Sequence, residues 1–467
     1  MTKACGTSDS CSGFAKDVAR QRASGESMLK KGSGMFGYYM DLALRSLKRN
    51  PVLTALMVLA IGLGIGASMT MLTLLHVMTA DPIPDRSAQL FYPQLDPQSM
   101  EDHKAGEDPP DQLTWTDAMN LLHAGRGVRQ VAMTGGQVTV HPEGGKARAF
   151  FADARYTSAD FFGLFDVPFA YGSGWTTADD EKQARVVVLS RKLADKLYGA
   201  DRAVGQSLQL GKYAFRVIGV IDAWDPVPHY YDLTHGGYAR SEEIFLPLET
   251  AIALKQGTSG SISCWGRMPD DGDMRNADCV WTQFWVQLDT PAQVAGYREF
   301  LTHYSQEQKA LGRFARPPNT RLRDLMDWLD YNHVVPGSVQ LQGLLALGFM
   351  LVCLLNTVAL LLVKFLRRGG ELSVRRAMGA SRRAVFTQLL VEASMVGLSG
   401  GGAGLLLAAF GLWIVRQQPA QYAALARLDP TMLLTTFVLA VCATVLAAVF
   451  PAWRACRLAP ARLLKIQ

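Results

Sequence analysis

The residues of this chain best suited to chemistry lie in one basic stretch, residues 367–393, which reads RRGGELSVRRAMGASRRAVFTQLLVEA. Glu371 and Arg375 stand four apart and can pair along a helix. Gly379 can end that helix, and Ser381 can cap the next. Arg375, Arg376, Arg382 and Arg383 then form a basic knob around the turn. Its chemistry is ionic contact, with an acidic protein surface or with lipid phosphates. Glu392 lies about 14 Å further up the second helix, inside apolar sequence, where a carboxylate must pair or face a protein interior.

No other part of the sequence has the pattern of a catalytic constellation. The 8 histidines are scattered. His229 and His235 share a loop without metal-ligand spacing, so no metal site is expected. Residues 205–212 resemble a phosphate-cradling loop only loosely, with the wrong spacing, and read as a hairpin.

The basic stretch is positioned by long apolar runs. The chain has 467 residues, 49% of them hydrophobic, and a mean hydropathy just above zero, so membrane and water-exposed parts coexist. Residues 51–80, 333–363, 393–415 and 430–453 contain no Asp, Glu, Lys or Arg. Each run supplies the ~20 helical residues that cross a bilayer. The expected fold class is therefore an α-helical membrane protein with four transmembrane helices and a large α/β (mixed α+β) extracytoplasmic domain between the first and second. Lys and Arg cluster before the first run, between the second and third, and after the fourth, which places those regions in the cytoplasm. Residues 81–333 are net acidic, although the whole chain carries +6, so the basic balance belongs to the membrane flanks and nucleic acid is not an expected partner.

The expected organisation follows. Residues 1–34 form a disordered cytoplasmic tail, and 35–50 an amphipathic helix with Phe36, Tyr39, Ala43 and Leu47 on one face. Residues 51–80 are the first span and 81–333 the external domain. Residues 334–366 are the second span, 367–384 the cytoplasmic loop, 385–415 the third span, 416–429 an external loop, 430–453 the fourth span and 454–467 a cytoplasmic tail. Glycines at spacing four, Gly62/Gly66, Gly397/Gly401 and Gly400/Gly404, suit close helix packing. Of 7 cysteines only Cys264 and Cys279 fall in the external domain. An oxidising compartment favours a disulfide between them, with two free thiols as the alternative.

Within the external domain, local signals alternate between strand and helix. Thr114 is a candidate cap for a helix ending at Gly125, Ser158 for a short helix over ADFFGLF, Ser190 for SRKLADKLY, and Thr290-Pro291 for a helix carrying Val294, Tyr297, Leu301 and Tyr304 on one face. Residues 150–156, 184–189 and 283–288 read as strands, and 207–221 as a hairpin around Gly211 and Lys212. This is an α/β domain, read here as two lobes.

The loop closely resembles the segment between the second and third spans of FtsX/MacB-like ABC transporter permeases, the type VII ABC transporters. The family pattern is roughly E-I-G-I-R-R-A-L-G-A-S; here it stands as Glu371-Leu-Ser-Val-Arg375-Arg376-Ala-Met-Gly379-Ala-Ser381, with Ser373 where glycine is usual. YTSADFFGLFDVPFAYGSGWTTAD and VVVLSRKLADKLYGADRAVGQSLQLGKYAFRVIGVI are similar to stretches of the MacB-like periplasmic core. The resemblance covers about residues 36–467, while much of 223–282 departs from it and reads as an aromatic-rich insertion holding the cysteine pair. It implies a non-catalytic permease subunit in the bacterial inner membrane. Glu371, Arg375, Arg376, Gly379, Arg382 and Arg383 would form a coupling helix against a separate ABC ATPase subunit, which holds the ATP and Mg. It implies mechanotransmission driving export or extraction of a substrate, and a dimer with a second copy or a paralogue. A periplasmic adaptor and outer-membrane channel are further expected partners. A regulator of cell-wall hydrolases and a lipoprotein-releasing permease are the alternatives. The family often carries a carboxylate at Glu392, which implies a structural pair with a nearby arginine.

Overall fold

The computed structural model describes residues 37, 39–101, 103–142, 148–270, 272–417 and 430–457. The chain divides into two compact units, residues 77–336 and the remainder. Phe36 and the external loop 416–429 lie wholly or largely outside the described residues.

The unit of residues 77–336 is built on one mixed sheet of eleven strands. In chain order these are β1 Leu90–Leu95, β2 Arg129–His141, β3 Phe150–Thr157, β4 Phe169–Gly172, β5 Val186–Ser190, β6 Ser207–Leu210, β7 Tyr213–Ile221, β8 Ile244–Pro247, β9 Thr258–Ser259, then β12 Gln283–Gln287 and β13 Thr320–Asp324. The order across the sheet is β13-β1-β12-β2-β3-β8-β5-β7-β4, with β6 on β2 and β7, and β9 on β2. The first and last strands are antiparallel neighbours, Phe91 opposite Asp324 and Leu95 opposite Thr320. A separate ribbon pairs β10 Ser263–Cys264 with β11 Cys279–Val280.

Both faces of this sheet are buried, and the side-chain period of two assigns residues to each. Ala132, Val187, Phe284 and Val286 join Leu301 and Tyr304 in one core. Val131, Met133, Val188 and Trp285 join Phe161, Tyr231 and Trp328 in the other. The expectation of two lobes is thus corrected to one sheet with a core on each face. Strand pairs such as β1 with β12, distant in sequence, close the sheet into one body.

Helices decorate the sheet where their caps direct. They are α3 Trp115–Ala124, α4 Phe161–Leu164, α5 Thr177–Glu181, α6 Arg191–Leu197, α7 Leu248–Ala253, α8 Pro291–Ala310 and α9 Leu325–Tyr331; α1, residues 39–49, and α2, Pro51–Thr79, precede them. Thr114, Ser190 and Thr290 each accept a hydrogen bond from the backbone N–H three residues on. Ser158 does not cap α4. Asp160 precedes that helix without a side-chain cap, and the Ser158 hydroxyl accepts instead from the Ala132 N–H at 3.2 Å.

The second unit is helical. Besides α1 and most of α2 it contains α10 Gly337–Arg367, α11 Gly369–Ala377, α12 Arg382–Arg416 and α13 Pro430–Arg457. Among the described residues three helices, α2, α10 and α12, are long and apolar enough to cross a membrane; within α13 the apolar stretch described is Val441–Cys456. The spaced glycines are contacts inside the chain. A Cβ on Gly62 would lie 3.1 Å from that of Ala403, one on Gly400 2.6 Å from Ile61, and one on Gly404 2.7 Å from Ile65, so α2 and α12 approach as closely as glycine allows. Gly397 and Gly401 face Thr444 and Phe437 of α13 in the same way.

Candidate coupling site

The turn between α11 and α12 is made by two local devices. Gly379 has φ +102°, a conformation that side chains other than hydrogen rarely adopt, and so ends α11. The Ser381 hydroxyl then accepts from the Ala384 N–H at 3.2 Å and starts α12.

The structure divides the expected knob into an anchored half and a free-standing half. Arg375 is half-buried and donates to the Gln388 side chain on α12 at 3.0 Å. Arg376 is half-buried and donates to the Cys456 carbonyl on α13 at 3.2 Å. Both arginines therefore hold the turn against neighbouring helices. Arg382 and Arg383 are exposed at the start of α12, and Val374 and Met378 of α11 are 51% and 76% accessible. The exposed side chains on either side of the turn are thus two apolar ones on α11 and two guanidinium groups on α12.

Glu371 pairs differently from the i,i+4 expectation. Its carboxylate meets Arg368 at 3.3 Å and Arg49 at 3.6 Å rather than forming its ion pair with Arg375. Arg368 lies one turn before it and reaches it first. Partial burial acts to raise the Glu371 pKa, but Arg368, with Arg375 and Arg49 nearby, holds it below the ordinary value.

Behind the turn lies a buried ionic cluster. Glu392 is 1% exposed and takes the Lys364 ammonium at 2.7 Å and the Arg368 guanidinium at 3.0 Å. It also accepts from the Ser46 hydroxyl of α1, to which Arg368 donates in turn at 2.7 Å. Arg368 therefore bridges Glu392 inside and Glu371 outside, and ties α1, α10, α11 and α12 to one centre. Sequence reasoning anticipated an arginine beside Glu392 but missed Lys364 and Ser46. The available signal was spacing: Lys364 and Arg368 stand four apart at the end of an apolar run, the first in the last turn of α10 and the second just beyond it.

In the other unit, a disulfide joins Cys264 and Cys279 across the ribbon β10–β11, and Trp281 stacks on Trp115 with centroids 5.6 Å apart. His229 and His235 both contact Asp232, the first through its carbonyl at 2.8 Å and the second through its carboxylate at 3.1 Å. Among the described residues no group of three or more His, Cys, Asp or Glu is arranged to hold a metal. Asp232 and Glu242 instead enclose the buried Arg155 guanidinium, which draws the aromatic loop onto the sheet.

The family model described as MacB-like periplasmic core domain matches residues 54–303, and that described as FtsX-like permease C-terminal matches residues 343–460. Among curated relatives, the macrolide export ATP-binding/permease protein MacB 1/2 of Paracoccus denitrificans is 26% identical over 257 residues, 54% of this chain and 33% of that protein. The pyoverdine export ATP-binding/permease protein PvdT of Pseudomonas syringae pv. tomato is 26% identical over 273 residues, 57% of this chain and 37% of that protein. The chain thus spans about a third of the length of these relatives. The crystal structure of the periplasmic region of MacB from Actinobacillus actinomycetemcomitans aligns over 54% of this chain and 94% of that one, at 13% identity and a TM-score of 0.35.

Proposed function

We propose a function from one premise: this chain belongs to the family of the MacB-like periplasmic core domain, with an FtsX-like permease C-terminal region behind it. The proposal is an export permease subunit. It has four spans, its large domain outside the inner membrane and the α11–α12 turn in the cytoplasm. A separate ABC ATPase, which binds ATP and Mg, docks on that turn, and its closure moves the helices and with them the external domain. A second permease copy or paralogue completes the assembly, and an adaptor and outer-membrane channel carry the substrate onward. Export is taken from the names of the relatives, and no substrate is carried over from them.

The observation that supports this reading is the outward face of the turn. Val374 and Met378, one helical turn apart on α11, offer apolar surface that a partner can bury, and the exposed Arg382 and Arg383 at the start of α12 offer charges for an acidic one. Because the cluster of Arg368, Glu392 and Lys364 links α1, α10, α11 and α12, a push on this face is passed to those helices. The test is co-purification of the ATPase with the double variant Arg382→Glu, Arg383→Glu. The expected result is loss of the ATPase with normal membrane insertion, because neither side chain makes a hydrogen bond or ion pair among the described residues. Undiminished ATPase binding would reject the docking assignment.

A further inference from the structure

We propose that Ser259, His235 and Asp232 form a hydrolytic triad at the surface of the external unit, with a small carboxylic ester as its substrate class. The Asp232 carboxylate lies 3.1 Å from His235 Nδ1, and the Ser259 hydroxyl lies 3.1 Å from His235 Nε2. The two ring nitrogens are engaged in the order that nucleophilic catalysis requires. A carboxylate orients the imidazole, and the imidazole faces a hydroxyl within reach of proton transfer. Asp232 and His235 come from one loop and Ser259 from a strand 24 residues on, so only the fold assembles them.

The three side chains are held as the chemistry needs. Ser259 sits in β9, laddered to Gly135 of β2. Asp232 is buried and accepts from the Thr234 N–H at 2.8 Å and the Thr234 hydroxyl at 2.6 Å. His235 is 35% exposed and Ser259 partly so, and a substrate can reach their contact from solvent. Glycines make room for the ring. A Cβ on Gly135 would lie 2.5 Å from His235 Cε1, and one on Gly260 would lie 3.2 Å from the same atom.

The charges suit a base at His235. Asp232 and Glu242 share the Arg155 guanidinium, so, the histidines apart, two carboxylates face one cation. The surplus negative charge favours the imidazolium that forms when His235 takes a proton. Burial acts to raise the Asp232 pKa, but Arg155 and the hydrogen bonds from His235 and Thr234 hold it well below the ordinary value. Asp232 in turn raises the His235 pKa against the effect of burial. Asp232 is thus a positioning residue, and Ser259 and His235 are the catalytic pair.

The reaction balances without a cofactor. The Ser259 oxygen attacks the ester carbonyl while its proton passes to His235 Nε2. The intermediate collapses, the alkoxide leaves with that proton as an alcohol, and an acyl-serine remains. Water then yields a proton to His235 and attacks the acyl carbon. Collapse frees the carboxylic acid, and Ser259 recovers its proton. Ester and water become acid and alcohol. Gly260, at φ +110°, carries no side chain to cover the N–H that follows the nucleophile, the position from which many hydrolases take an oxyanion donor. Thr234 and Ser261 border a cavity of about 280 Å³ that Tyr92, Leu233 and Trp328 also line, apolar surface for a short acyl group.

The experiment uses the full chain in detergent micelles. A fluorophosphonate probe should phosphonylate Ser259, located by mass spectrometry of a digest, and p-nitrophenyl acetate should be hydrolysed. Ser259→Ala should abolish both. His235→Gln should lower hydrolysis ~100-fold or more, the share a general base supplies. The rate of the native chain should rise with pH as His235 loses its proton, and His235→Gln should flatten that rise. If His235→Gln does not fold, Ser259→Ala decides, because it trims one oxygen from a partly exposed side chain. Absence of the adduct on Ser259, or hydrolysis undiminished in either variant, would overturn the proposal. So would a variant that only lowers the thermal midpoint, which would make the three residues a clasp between the loop and β9.

Discussion

Glu392→Gln strands Lys364 without its counter-charge in a packed interior and leaves Arg368 paired with Glu371. Breaking one side of a buried ion pair costs about 3–5 kcal/mol. Thermal unfolding of the full chain in detergent should show the midpoint falling by several degrees, and adding Lys364→Met should recover much of the loss. No recovery would mean that Arg368 alone carries the cluster. Asp180 makes a different prediction in the external unit. Burial pushes its carboxyl up to about 7 from an ordinary 3.8, while the Ala159 N–H pulls it down and Glu249 adds to the rise. A folded state that prefers the protonated acid is favoured below 3.8 and loses that advantage as pH rises through about 7. Asp180→Asn should therefore flatten the fall in thermal midpoint between those pH values. An unchanged slope would assign the pH dependence elsewhere.

Helix caps show how much local structure the sequence expressed. Thr114, Ser190 and the pair Thr290-Pro291 announce α3, α6 and α8 because a cap is a contact across three residues. Ser158 misled for the complementary reason: β2 lies close by in space, and its Ala132 N–H claims the hydroxyl. The turn between α11 and α12 repeats the pattern. Gly379 and Ser381 do their local work, whereas the partners of Arg375 and Arg376 lie on α12 and α13, beyond the reach of pattern or spacing. The sites of burial in the ionic cluster were hidden likewise, since only packing makes Ser46 an inner residue. At this scale the ribbon β10–β11 gives a test. Its disulfide closes a loop of 15 residues, and the chain-entropy account puts its contribution at about 3 kcal/mol. Cys264→Ser with Cys279→Ser should lower the thermal midpoint of the external unit, and reductant should do the same to the native chain but not to the variant. Equal behaviour with and without reductant would show that the ribbon is held by Trp281 against Trp115 instead.

At the scale of the molecule, the external unit should unfold as one body. One sheet crosses it with a core on each face, so no line of weakness divides it into the two lobes that its alternating local signals suggested. Hydrogen exchange should protect β12 and β5 together, and early loss of one alone would argue for separate lobes. The placement of β1 beside β13 has a mechanical consequence. The chain enters β1 at Leu90 and leaves β13 at Asp324, at the same end of an antiparallel pair. A force drawing those two points apart would load the ladder like a zipper, one rung at a time from Phe91 and Asp324, and strands peel at low tension in that geometry. A force carrying both points the same way loads no rung. Any work done on this domain through its two tethers must arrive as common displacement: the domain is built to be carried, and would come undone if it were stretched.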